Sequence, residues 1–177
     1  NRDALGLSSR DTAKTFFYAF IYGAGDQKLG KILGGGAKRG KQGRAALLSG
    51  VSGLLELTEK VKQVFRRRGH LIGLDGRQLH IRSEHSALNT LLQSAGAILM
   101  KKALIILDDR LKKTYNQSDY EFVANIHDEF QIEVKEEYAK EIAQHAAEAI
   151  YRAGQYFEFG CPLSATSHIG KTWADTH

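Results

Sequence analysis

Cysteine, proline, methionine and tryptophan each occur once in these 177 residues. A single thiol, Cys161, excludes an internal disulfide framework and a cysteine-rich zinc site, and it points to a reducing cytoplasm. Pro162 is the only proline while glycine numbers 18, so turns must rest mostly on glycine. No signal-peptide pattern opens the chain. No apolar run is read as approaching the ~18–20 residues of a membrane span, so no membrane partner is expected. Internal repeats are absent, and nothing is low in complexity beyond a short glycine cluster. Hydrophobic residues at 42% and charged residues at 25% give the balance of a globular chain rather than a disordered one.

Acidic charge is scarce in the first part of the chain. Residues 1–70 carry 14 Lys and Arg against 5 Asp and Glu, whereas residues 71–177 carry 11 against 15. A basic portion followed by an acidic one suggests a polyanion on one side and divalent cations on the other. Lysine-rich solvated helices would show the same asymmetry.

The pattern predicts α+β architecture, with helices packed on a small antiparallel sheet. A first helix is expected from Arg10 to Tyr22, with Ser8 or Ser9 as N-cap and Gly23–Gly25 closing it. Residues 27–43 read as a short helix and a mobile basic loop, and a second helical stretch covers about 44–68. Residues 70–83 look like a β-hairpin whose Asp75-Gly76 pair supplies the positive φ angles of a tight primed turn. A long helix follows from about Ser86 to Lys113, with Leu88, Leu92, Ala95, Leu99, Ala103 and Ile106 on one stripe. Residues 120–134 alternate as two strands around His127-Asp128-Glu129, a further helix spans about 137–153, and the tail is expected to add a strand.

Three constellations could carry chemistry. Arg10, Lys14, Tyr18 and Tyr22 stand four residues apart, so they line one helix face over roughly 18 Å. Two cations followed by two rings suit a ligand with a polyphosphate at one end and a planar base at the other. An aromatic-rich core helix with two solvated cations has the same spacing. In the second constellation, β arms raise His127, Asp128 and Glu129 to a hairpin tip. One carboxylate cannot hold two Mg²⁺ ions, so a two-metal site there needs at least one further acid. Polar residues at a hairpin turn are also commonplace. The third is Asn89 and Gln93, one turn apart on an apolar helix, where their amides could meet minor-groove acceptors of base pairs or merely satisfy internal polar groups.

Taken together, these segments resemble the C-terminal part of a family A DNA polymerase of the short-tailed-phage type. RDTAKTFFYAFIYGAG (10–25) resembles that family's fingers-helix motif. GLDGRQLHIRSEHSALNTLLQSAGA (73–97) resembles the segment leading into the palm, and NIHDEFQIEV (125–134) the palm motif with His-Asp-Glu. The ending HIGKTWADTH is similar to the C-terminus of the phage enzymes. The resemblance implies a fingers portion at 1–83, with nucleotide-binding helix, basic loop and hairpin, and the C-terminal half of a palm at 84–177.

It also implies roles. Arg10 and Lys14 would bind the incoming deoxynucleoside triphosphate, with Lys14 also the general acid for the leaving pyrophosphate. Tyr18 would lie over sugar and base, and Tyr22 and Gly23 would shape the pocket of the nascent pair. Asn89 and Gln93 would contact the minor groove of primer–template DNA, and His127 the primer terminus. Asp128 would ligate two Mg²⁺ ions, with Glu129 in support. The family carries a second metal-binding Asp upstream of the fingers helix. Asp3 and Asp11 are poor substitutes for it, one in the leader and one in the helix's first turn. The expectation is therefore a polymerase fragment that depends on a missing N-terminal portion, acting in a bacterial host cytoplasm if phage-encoded. The alternatives are a non-catalytic DNA- or nucleotide-binding module and, more remotely, an unrelated His-Asp hydrolase.

Overall fold

Ser9 caps the first helix. In the computed structural model, which describes residues 9–176, its Oγ accepts a hydrogen bond from the Thr12 backbone N–H at 3.3 Å and caps helix α1, Arg10–Ile21. Ser8, the other expected cap, and Asp3 lie outside the described residues. The chain forms two compact units, Asn1–Ser94 and Ala95–His177.

Four helices lead the first unit: α1, α2 (Asp26–Ile32), α3 (Ala37–Gly50) and α4 (Leu54–Arg68). Phe16 and Phe20 on one face of α1 pack with Leu29 and Leu47 into a buried cluster. The short helix expected in the glycine-lysine run is α2, but the mobile basic loop expected after it is instead a brief turn and the start of α3. The glycines of this run make close approach possible rather than freedom. A Cβ on Gly30 would stand 2.0 Å from the Gly36 carbonyl oxygen, and one on Gly40 would stand 1.9 Å from that of Asp26. The helix expected over 44–68 is likewise broken between α3 and α4, where Gly53 takes φ 77°. Gly69, at φ 72°, ends α4 after three arginines whose charge complements the C-terminal dipole.

Strands β1 (His70–Ile72) and β2 (Gln78–His80) pair antiparallel and share a second buried cluster with Val61, Ala87 and Leu88. Their connection is not the expected two-residue primed turn. Gly73 N–H donates to the Arg77 carbonyl at 2.8 Å, leaving a three-residue loop in which Gly76, at φ 83°, has positive φ and Asp75 does not. Asp75 instead accepts a hydrogen bond from Arg77 Nε at 2.6 Å.

Helix α5, Ala87–Thr114, begins in the first unit and continues into the second. Met100, Ala103, Leu107 and Leu111 are its buried residues in the second unit, so the stripe there is rotated from the expected one, and Leu92 is exposed. By length and composition this segment could cross a bilayer, with a mean hydropathy of 1.5 over an 18-residue window. That corrects the reading that no run approached this length.

Strands β3 (Tyr120–Ile126) and β4 (Glu129–Val134) form an antiparallel hairpin in the second unit, and α6 (Ala139–Tyr156) packs with α5 around Leu107, Leu111, Ile142 and Ala153. Alternation located both strands but missed a bulge. Phe122 pairs with Ile132 and Ala124 with Gln131, so Val123 is the extra residue and the face shared by the two strands switches beyond it. Among the described residues the tail adds no strand, only a 3₁₀ turn at Trp173–Thr176. Helices with two small antiparallel sheets make the fold α+β, as expected.

Candidate functional site

The four residues of the α1 row are all exposed, while Ala13, Phe16 and Phe20 bury the opposite face. Tyr18 and Tyr22 are 48% and 54% exposed, so their rings are not the core residues that spacing alone allowed. The rings stack at 6.3 Å between centroids and 21° between planes. Arg10 and Lys14 have no ion-pair partner among the described residues, leaving two uncompensated cations one turn apart beside the paired rings.

The end of this row is held in place. Tyr22 caps α1, and its hydroxyl oxygen accepts a hydrogen bond from Gln93 Nε2 at 3.3 Å. Gly23 has φ 76°, and a Cβ there would lie 2.7 Å from the His85 carbonyl oxygen, so both conformation and space require glycine. Asn89, one turn before Gln93 on α5, has its Oδ1 buried without a hydrogen-bond partner. An orphaned buried acceptor is costly. Asn89 and Gln93 are thus brought to the same unit as the α1 row.

The other expected cluster lies in the second unit. His127 and Asp128 are the two residues between Ile126 and Glu129, which pair across the hairpin. His127 takes φ 49°, a left-handed conformation that a non-glycine residue adopts only when its surroundings require it. Asp128 is exposed and has no hydrogen-bond or ion-pair partner among the described residues. Glu129 begins β4, is half-buried, and accepts a hydrogen bond from Gln131 Nε2 at 3.3 Å.

The base of the hairpin is fixed differently. Asp119, 5% exposed, accepts from Lys135 Nζ at 2.6 Å and from Asn116 N–H at 2.8 Å. The Lys135 hydrogen bond, then the Asn116 N–H, hold the Asp119 carboxyl below its usual range. Nearby, burial is the main cause pushing the Tyr115 phenol up to about 12.

As hard oxygen donors, Asp128 and Glu129 fit Mg²⁺ chemistry, and the unpartnered Asp128 carboxylate is open to a cation. Among the described residues, however, no group of three or more His, Cys, Asp and Glu side chains is gathered. Asp11 sits in the first turn of α1, where the helix dipole already favours its charge. Two grooves of about 300 and 370 Å³ lie elsewhere in the second unit and are lined by none of the expected site residues. Sequence reasoning missed His85 and Arg44, which bear on the Tyr22–Gly23 corner. His85 acts through its backbone, which no side-chain pattern reveals, and Arg44 is separated from its partners by 18 residues or more.

A sequence profile of DNA polymerase family A matches residues 2–175. Over 197 aligned positions the chain is 38% identical to the DNA-directed DNA polymerase of Enterobacteria phage T3, covering 100% of this chain and 28% of that relative. It is 40% identical over 188 positions to the corresponding enzyme of Escherichia phage Phieco32, covering 100% and 30%. The DNA polymerase I of Bacillus caldotenax is 26% identical, over 99% of this chain and 21% of that relative. A solved structure, the POL domain of Pol1 from M. smegmatis in complex with DNA primer-template and dNTP, shares the fold. Its TM-score is 0.76 at 21% identity, over 86% of this chain and 30% of that one. The chain thus spans less than a third of the length of these relatives.

Proposed function

The chain belongs to DNA polymerase family A, and on that premise we propose that it supplies the fingers portion (1–83) and half of the palm (84–177) of a DNA-directed DNA polymerase. The observation that carries this reading is the exposed α1 row of two cations, unpaired among the described residues, and two stacked rings, which ends at a corner that only glycine fits.

Arg10 and Lys14 bind the triphosphate of the incoming deoxynucleotide, and Tyr18 lies over its sugar and base. Tyr22 and Gly23 bound the space for the nascent base pair. Asn89 and Gln93 offer their amide N–H groups as donors to the minor-groove acceptors of base pairs, whereas the buried Asn89 Oδ1 is itself an acceptor and takes no part in that contact. His127 approaches the primer terminus. Asp128, supported by Glu129, would hold Mg²⁺, which when bound would neutralise charge on the reacting phosphates. The primer 3′-hydroxyl gives its proton to water as its oxygen bonds to the α-phosphorus in line, the bond to pyrophosphate breaks, and the Lys14 ammonium gives a proton to that leaving group. The M. smegmatis neighbour, solved with primer-template and dNTP, supports this choice of ligands.

A single turn carboxylate with Glu129 is too few oxygens for two cations, so catalysis requires a further carboxylate beyond those placed here. Primer extension with Mg²⁺ tests the proposal, run on these 177 residues alone and on the same residues joined to the part of the phage T3 polymerase that does not align with them. The joined protein is expected to extend primers and the chain alone is not. Extension by the chain alone would remove the need for a further carboxylate. A joined protein that binds duplex yet never extends it would leave a non-catalytic binding module.

A further inference from the structure

We infer that Arg44 is a positioning residue for the Tyr22–Gly23 corner, setting where the second stacked ring stands against an incoming nucleotide. This inference rests on the nucleotide-binding role proposed for α1. Arg44 lies on α3, half-buried, and reaches the corner by three contacts. Its Nη2 donates to the Ala24 carbonyl at 2.7 Å, one residue beyond Gly23. Its Nε donates to Asp26 Oδ1 at 2.8 Å, in the first turn of α2. Its guanidinium carbon lies 5.7 Å from the centroid of the Phe20 ring, beneath the end of α1.

The planar fork of arginine makes this possible, because two donors in fixed geometry fasten a backbone carbonyl and a carboxylate at once. Its base is also rigid. The close contacts of Gly30 and Gly40 lock α2 to α3, so a displacement of the corner cannot be absorbed by sliding one helix over the other. From the other side, Gln93 holds the Tyr22 hydroxyl and the His85 carbonyl abuts Gly23. The segment from Tyr22 to Ala24 is thus held from α5 at Tyr22 and Gly23 and from α3 at Ala24. Holding α3 on the core does not itself require Arg44, since Leu47 and Gly43 already pack against the cluster around Phe16.

The test uses the 177-residue chain with ring-labelled tyrosine, followed by NMR while a Mg²⁺–dNTP is titrated. Arg44→Met keeps the aliphatic stem and removes both donors. It is expected to shift the Tyr18 and Tyr22 resonances, to leave Tyr115, Tyr120 and Tyr138 of the second unit unmoved, and to raise the apparent dNTP Kd about tenfold. Arg44→Lys keeps the charge but cannot serve both acceptors, and should recover part of that loss. Asp26→Asn, which spares the Ala24 bond, should cost less than either. Should Arg44→Met fail to fold, the ranking of the Lys and Asn variants carries the test. Unchanged Tyr22 resonances and affinity in both Arg44 variants, in a chain that binds dNTP, would overturn the inference alone. A wild-type chain whose tyrosines ignore dNTP would overturn the nucleotide role of α1, and this inference with it.

Discussion

The corner at the end of α1 and the tip of the β3–β4 hairpin are both turns expected to carry function, yet they are built in opposite ways. The Tyr22–Gly23 corner is held directly, with Gln93 on the Tyr22 hydroxyl, the His85 carbonyl against Gly23 and Arg44 on the adjoining Ala24. The hairpin is held at its base by the Asp119–Lys135 pair, while Asp128 at its tip touches no hydrogen-bonding partner among the described residues. A surface that discriminates shape needs its groups fixed before the ligand arrives. A carboxylate meant for cations is better left unpaired, because any protein partner would have to be displaced. Direct bracing at one turn and bracing at a distance at the other fit these two tasks.

The comparison breaks most visibly at Asp128. In the joined polymerase described above, Asp128→Ala is expected to lower extension by ~10²–10³-fold while leaving duplex binding largely intact, the scale seen when one preorganised charge-stabilising group is removed. Survival of turnover within about tenfold would show that the tip does not hold the reacting phosphates' cations. At the other region, Tyr18→Phe should penalise dideoxynucleotides by about tenfold and ordinary nucleotides far less, because a lost hydroxyl contact is felt most where the 3′-hydroxyl is already missing. Equal losses for both would remove the sugar contact.

Two further predictions concern the supports rather than the working groups. Gly40→Ala should destabilise the first unit by about 1–3 kcal/mol in denaturant melts, since overpacking outweighs the ~1 kcal/mol that alanine offers a helix. A stabilised variant would mean that α2 and α3 are not locked. Asp119→Asn should lower Tm at neutral pH. Because the folded Asp119 carboxyl lies below its ordinary value, its contribution is present above the unfolded pKa of ~3.9 and fades as pH falls through the lower folded value. The Tm difference between wild type and variant should therefore close below about pH 3.9. A difference independent of pH would point to packing instead of charge.

Some of this was legible before any coordinates. Ser8 or Ser9 followed by a row at four-residue spacing marked α1, and alternation across 120–134 located the hairpin, with His127-Asp128-Glu129 expected between the strands and Glu129 found as the first residue of β4. What escaped were contacts between residues far apart in sequence. Glycine is a poor helix former, so the part of the 27–43 run after its short helix looked like a loop. Its helical state depends on α2 and α3 approaching too closely for any Cβ, which no local propensity encodes. The bulge at Val123 also escaped, because one extra residue in one strand leaves the hydrophobic alternation looking regular. Asp75-Gly76 supplied a turn of another length, since a single positive φ at Gly76 suffices for a three-residue loop. Arg44 had no signal at all, because its three partners are a backbone carbonyl, an aspartate and a ring on other elements.

The claim beneath the account is that the cationic end of α1 and the acidic hairpin tip serve the same chemical step. Single-turnover incorporation by the joined polymerase, measured for Lys14→Ala, Asp128→Ala and the double variant, tests this directly. If both groups act on one transition state, the double variant will be little slower than the slower single one. Losses that simply multiply would assign the two regions to independent events and contradict the account.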